Sequence, residues 1–207
     1  MTEKPSLIYS NPILYQFVMR FLYGSHFEDR YRALASEIPA GSCVVDLCCG
    51  DCYFYTHYLK QKKIAYLGLD LSPKFIASAQ ARGIHARQFD ALKDPIPAGD
   101  IVMMQASLYH FLPHAEPVIR RMLTSAGQKV IIAEPIQNMS ASTNPLLAMV
   151  ARLATRPGPK DQPYSGHRFD EKSLTELFNS FEALNRVFFI PGNREMVGIF
   201  IPNSSHG

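Results

Sequence analysis

A chain of 207 residues, 47% apolar and 19% charged, carries enough mass for a packed core and excludes a disordered or fibrous protein. Its net charge of +3 falls short of the basic stripe that a nucleic-acid binder needs. The polar start, Met1 to Ser6, is expected not to be a signal peptide, and no run reaches the ~18 apolar residues of a membrane-spanning helix.

Residues 12–37 read as largely helical. Ile13, Leu14, Phe17, Val18, Phe21 and Leu22 recur at helical spacing behind Asn11-Pro12. Gly24-Ser25 breaks the pattern, and a second segment at about 27–37 places Tyr31, Leu34 and Ala35 on one face. After Pro39 and Gly41 the apolar run Val44-Val45 ends in Asp46 and a turn holding Gly50. A helix is expected at 53–62, with Lys60, Lys62 and Lys63 suiting its C-terminus. A strand from Ile64 to Leu69 ends at Asp70. Ser72-Pro73 opens a helix over 73–82 that Gly83 closes. A short strand from His85 to Phe89 ends at Asp90, and Pro95, Pro97 and Gly99 mark a loop. Asp100 to Gln105 is a strand apolar enough to be buried on both faces. A helix at about 114–124, Gly127 and a strand from Lys129 to Glu134 follow.

This alternation argues for an α/β fold: a mostly parallel sheet with helices on both faces and right-handed crossovers. Ligands of such sheets sit beyond the carboxyl ends of the central strands. Those ends are Asp46, Asp70, Asp90, Gln105 and Glu134. The last third reads differently: an apolar helix at 145–154, a loop at 156–166, His167 and Arg168, and a helix at 171–180 capped by Asp170. Strands at 184–190 and 195–202 are joined by too few residues for a parallel crossover, so they form an antiparallel hairpin.

The stretch Val44-Val-Asp-Leu-Cys-Cys-Gly-Asp-Cys52 resembles the first motif of class I S-adenosylmethionine-dependent methyltransferases of the small-molecule type. Tyr66-Leu-Gly-Leu-Asp70, Phe89-Asp90-Ala91-Leu92, the run Asp100 to His110 and the closing hairpin follow in order, so the resemblance covers roughly residues 40–202. It implies a three-layer Rossmann-like sheet of seven strands in the order 3-2-1-4-5-7-6. It implies one domain: an N-terminal helical lid (1–39), a cofactor-binding core (40–135), lid and substrate helices (136–182) and the hairpin (183–202). It implies S-adenosyl-L-methionine as cofactor and S-adenosyl-L-homocysteine as product.

Roles follow residue by residue. Asp46 orients the methionine ammonium, and the backbone of Cys48, Cys49 and Gly50 passes close to the cofactor. Asp70 takes both ribose hydroxyls, with Leu71 beside it. Asp90, with the backbone of Ala91, addresses the adenine edge, and the backbone near Gln105 and Ala106 accepts from the ammonium. Strand-end carboxylates suit a sulfonium and an ammonium, and a carboxylate is a good double acceptor for a diol. The chain departs from the family's three alternating glycines, with Cys48, Gly50 and Cys52 in their places. Cys52 must either point away from the cofactor or push it outward.

Tyr109, His110 and Glu134 are expected where the methyl acceptor would meet the cofactor, with His110 the candidate base. Each has a plainer reading: His110 as a packed histidine, Glu134 as an acceptor for nearby backbone, the acids as turn caps. His167 and Arg168 fit an anionic substrate or an ordinary surface. The four cysteines lie within ten residues, which suits a reducing, cytoplasmic setting better than a disulfide framework. Zinc, an iron–sulfur cluster and redox chemistry compete here with small side chains in a tight turn, and no metal is expected. The reading is an enzyme that transfers methyl groups to a small, partly apolar molecule. The alternatives are a non-catalytic binder of cofactor or partner, and an NAD-dependent oxidoreductase, against which the poor glycine pattern speaks. The segments 13–23 and 145–154 read as a lid over the substrate, with an amphipathic membrane face as the other option. Oligomeric state has no signature in the sequence.

Overall fold

The computed structural model describes residues 27–136 and 168–203. The expected helices at 12–22 and 145–154, the loop at 156–166 and His167 lie outside the described residues.

The described chain begins with α1 (Phe27–Ser36) and runs into the central strand β1 (Cys43–Leu47). Then come β2 (Ala65–Asp70), α2 (Pro73–Ala81), β3 (Ala86–Gln88), β4 (Gly99–Gln105), α3 (Ala115–Ser125), β5 (Ala126–Pro135), α4 (Glu171–Asn179), β6 (Leu184–Phe189) and β7 (Glu195–Phe200). The seven strands form one sheet in the order β3-β2-β1-β4-β5-β7-β6. All neighbours are parallel except β5–β7 and β7–β6, which are antiparallel. This is the expected topology. Among the described residues no helix is long and apolar enough to cross a membrane.

Side-chain alternation along the strands builds two cores. Val45, Leu47, Val102, Met104, Val130 and Ile132 face α3 and α4, where Ile119, Met122, Leu174 and Phe178 meet them. Val44, Ile101, Met103, Ile131, Val197 and Ile199 face α1 and α2 through Leu34, Ile38, Ile76 and Ala79. Most of these side chains are fully buried, each contributing roughly 1.5–3 kcal/mol. α1 is also fixed by charge. The guanidinium of Arg30 donates two bonds of 2.7 Å to the carboxylate of Glu195 at the start of β7, with both residues buried.

Several boundaries differ from expectation. Gly127 lies inside β5, which starts at Ala126 where α3 ends, and Gly99 opens β4 rather than closing a loop. Their pairing with each other's strands decides this: Gly99 registers with Ala126, so the backbone ladder begins before the apolar run does. The segment 53–62 is not one α-helix. It widens into a π-helical turn at Tyr55–Leu59 and tightens to a 3-10 turn at Lys60–Lys62, ended by Lys63 at φ 54°. The wide turn seats two aromatic contacts on opposite sides: Tyr55 stacks on Tyr66 at 4.1 Å and Tyr58 on Tyr31 at 5.0 Å. Such turns recur at functional sites.

Candidate functional site

The carboxyl ends of β1, β2, β4 and β5 bring most of the expected residues to one edge of the sheet. Asp46 is the last residue but one of β1 and is 2% exposed. Its Oδ2 accepts from the Tyr66 hydroxyl at 2.8 Å, while its Oδ1 is buried with no hydrogen-bond partner among the described residues. Burial pushes the carboxyl up to about 7, against the bond from Tyr66 and with the help of nearby Asp70.

The turn after β1 is built from alternating left-handed residues: Cys48 (φ 57°), Gly50 (φ 56°) and Cys52 (φ 59°). Only Gly50 adopts this freely; each cysteine does so at a cost of roughly 1–2 kcal/mol. The three positions are those where the resembling family carries glycine, and the shared conformation is the physical reason. The turn is tied to β2 by its backbone. The Cys49 N–H donates to the Leu69 carbonyl at 3.1 Å, and the Gly50 N–H to Asp70 Oδ2 at 2.9 Å. Asp70 Oδ1 accepts from the Ser72 N–H at 2.8 Å. Burial raises the Asp70 carboxyl, and these two backbone bonds lower it. Each of its oxygens keeps a second lone pair for another donor.

Cys52 points away from the edge. Its side chain is fully buried, with Sγ 3.5 Å from Cys49 Sγ. Both thiols lie over Gly68, where an added Cβ would sit 2.8 Å from Cys52 Sγ and 2.9 Å from Cys49 Sγ. The missing side chain at Gly68 is what makes room for a cysteine in the third glycine position. Burial raises Cys48 above its ordinary value, and the bond to Cys52 together with burial does the same for Cys49. Such thiols are poor nucleophiles. Among the described residues no three His, Cys, Asp or Glu side chains cluster to hold a metal.

Asp90 follows β3 and is bound locally. It accepts from the Leu92 N–H at 3.0 Å and pairs with Lys93 at 3.1 Å. Burial raises its carboxyl slightly, but these bonds outweigh it and hold Asp90 below its ordinary value. Ala91 is buried, and Leu71 and Leu92 are exposed at the rim. At the end of β4 the buried Gln105 Oε1 has no hydrogen-bond partner among the described residues, and Ala106 (φ 49°) turns the chain while its N–H donates to the Ala133 carbonyl at 2.7 Å.

The next turn, Leu108–Phe111, carries Tyr109 and His110 with ring centres 3.9 Å apart. Arg168, which the sequence left as an anion binder or an ordinary surface residue, lies over the Tyr109 ring at 4.0 Å. Burial, helped by this guanidinium, lowers the His110 imidazole to about 4. Glu134 is fully buried on β5. Its Oε2 accepts from the Leu108 N–H at 2.9 Å, so it does serve the backbone, while Oε1 has no hydrogen-bond partner among the described residues. Burial pushes it up to about 8, against the Leu108 and Tyr109 backbone bonds.

Sequence reasoning missed Tyr66, Tyr55, Arg30 and Glu195. Tyr66 stood inside a quoted motif, and a phenol two residues before Gly68 on a buried strand was the available signal. The Arg30–Glu195 pair spans 165 positions and left no local trace.

A cofactor with a cationic ammonium fits this edge on its own terms. Asp46 Oδ1 and Gln105 Oε1 are buried acceptors at the ends of neighbouring strands, and a buried acceptor without a donor is costly unless a ligand supplies one.

Residues 28–140 match the family model described as methionine biosynthesis protein MetW. An uncharacterized methyltransferase of Synechocystis is 32% identical over 113 residues, covering 51% of this chain and 53% of its own. The chain thus spans about half the length of this curated relative. Two solved structures share the fold at low identity. The magnesium protoporphyrin IX methyltransferase of Synechocystis, solved with bound SAH, aligns with a TM-score of 0.63 at 15% identity over 94% of this chain and 97% of that one. A chain in the complex between the Haloferax volcanii Trm112 methyltransferase activator and a methyltransferase aligns with a TM-score of 0.68 at 14% identity, covering 97% and 99%. The fold is that of class I S-adenosylmethionine-dependent methyltransferases.

Proposed function

The chain belongs to the MetW family, and from that premise we propose that it is an S-adenosylmethionine-dependent methyltransferase acting on a small, partly apolar acceptor in the cytoplasm. The observation that carries this reading is the pair of buried acceptor oxygens, Asp46 Oδ1 and Gln105 Oε1, that have no partner among the described residues, beside a turn braced by Asp70. When bound, the cofactor supplies an electrophilic methyl group on a sulfonium.

The residues present would hold it as follows. Asp46 and Gln105, with the Ala106 backbone, take the ammonium. Cys48, Cys49 and Gly50 offer close backbone, with Gly50 presenting no side chain. Asp70 receives the ribose hydroxyls on its free lone pairs, and Leu71, Asp90 and Ala91 frame the adenine. Tyr109, His110 and Glu134 flank the acceptor. Burial lowers His110 to about 4, so its imidazole is neutral at pH 7 and is a weak base toward a hydroxyl or an acidic carbon. Glu134, raised to about 8, is protonated at neutral pH and can donate to an acceptor oxygen or nitrogen. Catalysis rests on holding the acceptor in attack geometry and excluding water.

Titration calorimetry with S-adenosylmethionine, S-adenosylhomocysteine and NAD tests the reading. The first two are expected to bind and NAD is not, and Asp70→Ala is expected to weaken both by about 100-fold, the loss of charge-assisted bonds to a diol. NAD binding without response to the other two overturns it.

A further inference from the structure

We propose that Tyr66 is a positioning residue for cofactor recognition: its hydroxyl bonds one oxygen of Asp46, fixes the carboxylate's rotation and so presents the other oxygen, which has no donor among the described residues, to a cationic donor. The proposal rests on the reading of Asp46 as the ammonium's partner and adds to it a residue that the sequence did not single out.

The arrangement is a built one. β1 and β2 are parallel, with Val44 opposite Tyr66 and Asp46 opposite Gly68. Asp46, Tyr66 and Gly68 therefore share one face of the sheet. Gly68, directly beside Asp46, presents no side chain, and an added Cβ there would come within 3.2 Å of Tyr66 Cε1. The empty position lets the Tyr66 ring lean along the strand to reach Asp46 Oδ2 at 2.8 Å. Tyr55, from the π-helical turn, stacks on that ring at 4.1 Å with 16° between the planes and blocks its other rotamers. Cys49 and Cys52 fill the space over Gly68. A phenol 7% exposed, clamped by a second ring and aimed at a carboxylate 2% exposed, fixes that carboxylate's rotation.

The titratable groups around Asp46 act in a consistent direction. Burial raises the Tyr66 phenol well above its ordinary value, and Asp46, Cys49 and Cys52 raise it further, so it stays a donor across the working pH range. Burial also raises Asp46, Asp70 raises it slightly, and the Tyr66 bond opposes both. Asp46 in turn helps raise Cys48 and Cys49, which remain thiols. Removing the phenol hydroxyl thus strips Asp46 of the one bond that favours its charged form, the form that receives an ammonium.

The test is S-adenosylhomocysteine affinity by calorimetry from pH 5.5 to 9 in the wild type, Tyr66→Phe, Asp46→Asn and the double variant, with thermal melts alongside. Tyr66→Phe is expected to weaken binding by about tenfold at pH 7, the loss of one bond to a charged group. The pH at which affinity reaches half its maximum is expected to move upward. In the Asp46→Asn background the same change is expected to have no further effect on affinity, since the two residues act as a unit. Tyr55→Leu, which leaves the hydroxyl in place and loosens the ring, is expected to weaken binding by a smaller factor in the same direction. It stands in should Tyr66→Phe fail to fold. A folded Tyr66→Phe or Tyr55→Leu with wild-type affinity and an unmoved pH profile overturns the positioning role while the cofactor reading stands. A wild type that binds no S-adenosylhomocysteine at any pH overturns both.

Discussion

The two edges of the sheet treat their polar groups in opposite ways. At the amino edge several charged groups find company. Asp100 accepts from the Cys43 N–H at 2.7 Å and from Gln128 at 3.2 Å. Lys62 caps the carbonyls of Ala35 and Ile38 at the end of α1. Lys129 and Arg186 both meet Glu37. At the carboxyl edge Asp46, Gln105 and Glu134 each keep one buried oxygen without a hydrogen-bond partner among the described residues. An orphaned buried acceptor costs roughly 1–3 kcal/mol, so an edge carrying three of them is held unsatisfied by the rest of the fold. Glu195 shows that the same edge can satisfy a buried acid, since it receives both arms of Arg30. One edge is a joint, and the other is kept open for a ligand.

The largest expected effect comes from making Glu195 resemble its neighbour. Arg30→Met leaves a fully buried carboxylate without its cation and is expected to lower the unfolding free energy by roughly 3–5 kcal/mol in urea denaturation. Replacing both partners, Arg30→Met with Glu195→Leu, is expected to recover most of that loss. A single-variant cost below about 1 kcal/mol would mean that the pair is solvated rather than buried.

What the sequence made legible divides along the same line. The strand order, the hairpin and the acids at the strand ends follow from period and punctuation, which are local. The side on which each acid finds its partner is not local. Arg30 reaches Glu195 across the whole described chain, and Tyr66 reaches Asp46 only because Gly68 has no side chain. The question left by Cys52 was answered by that same glycine: the thiol lies over Gly68, away from the open edge. Strand starts were misplaced at Gly99 and Gly127 because glycine reads as punctuation, whereas backbone pairing with a neighbouring strand tolerates it. The expected helix at 53–62 keeps its bounds, but it widens to a π-helical turn where aromatic contacts pack it from two sides.

An intermediate effect is expected from pH. Asp46 and Glu134 sit at about 7 and 8 in the fold, against ordinary values of 3.8 and 4.5. Both are raised, so between those values the fold holds protons that the unfolded chain releases, and stability falls as pH rises. Their contribution is complete below about pH 4 and is lost as the pH climbs through about 7 and 8. From pH 5.5 to 8.5 the ligand-free protein is expected to lose on the order of 2 kcal/mol, because relaxation around each charge softens the penalty. Calorimetric melts check this, and Asp46→Asn with Glu134→Gln is expected to flatten the profile. A wild-type melting temperature that does not fall over this range would show that the open edge is hydrated in the free protein, and the contrast between the edges would weaken.

The smallest effect is the control from the joint. Asp100 is half-buried, and its oxygens meet a backbone N–H and a side-chain amide, with no open acceptor held inside the fold. An asparagine in its place can still accept from Cys43. Asp100→Asn is therefore expected to cost less than about 1 kcal/mol, the range of a substitution that keeps its principal bond. S-adenosylhomocysteine affinity is expected to stay within about twofold of wild type, since the residue lies at the opposite end of β4 from Gln105. Asp46→Asn, which also exchanges one acid for its amide, removes a charge from the open edge and should weaken binding far more. If the two substitutions weakened binding equally, charge anywhere along the sheet would be setting affinity through its long-range field. Recognition by particular oxygens at one edge would then lose its support.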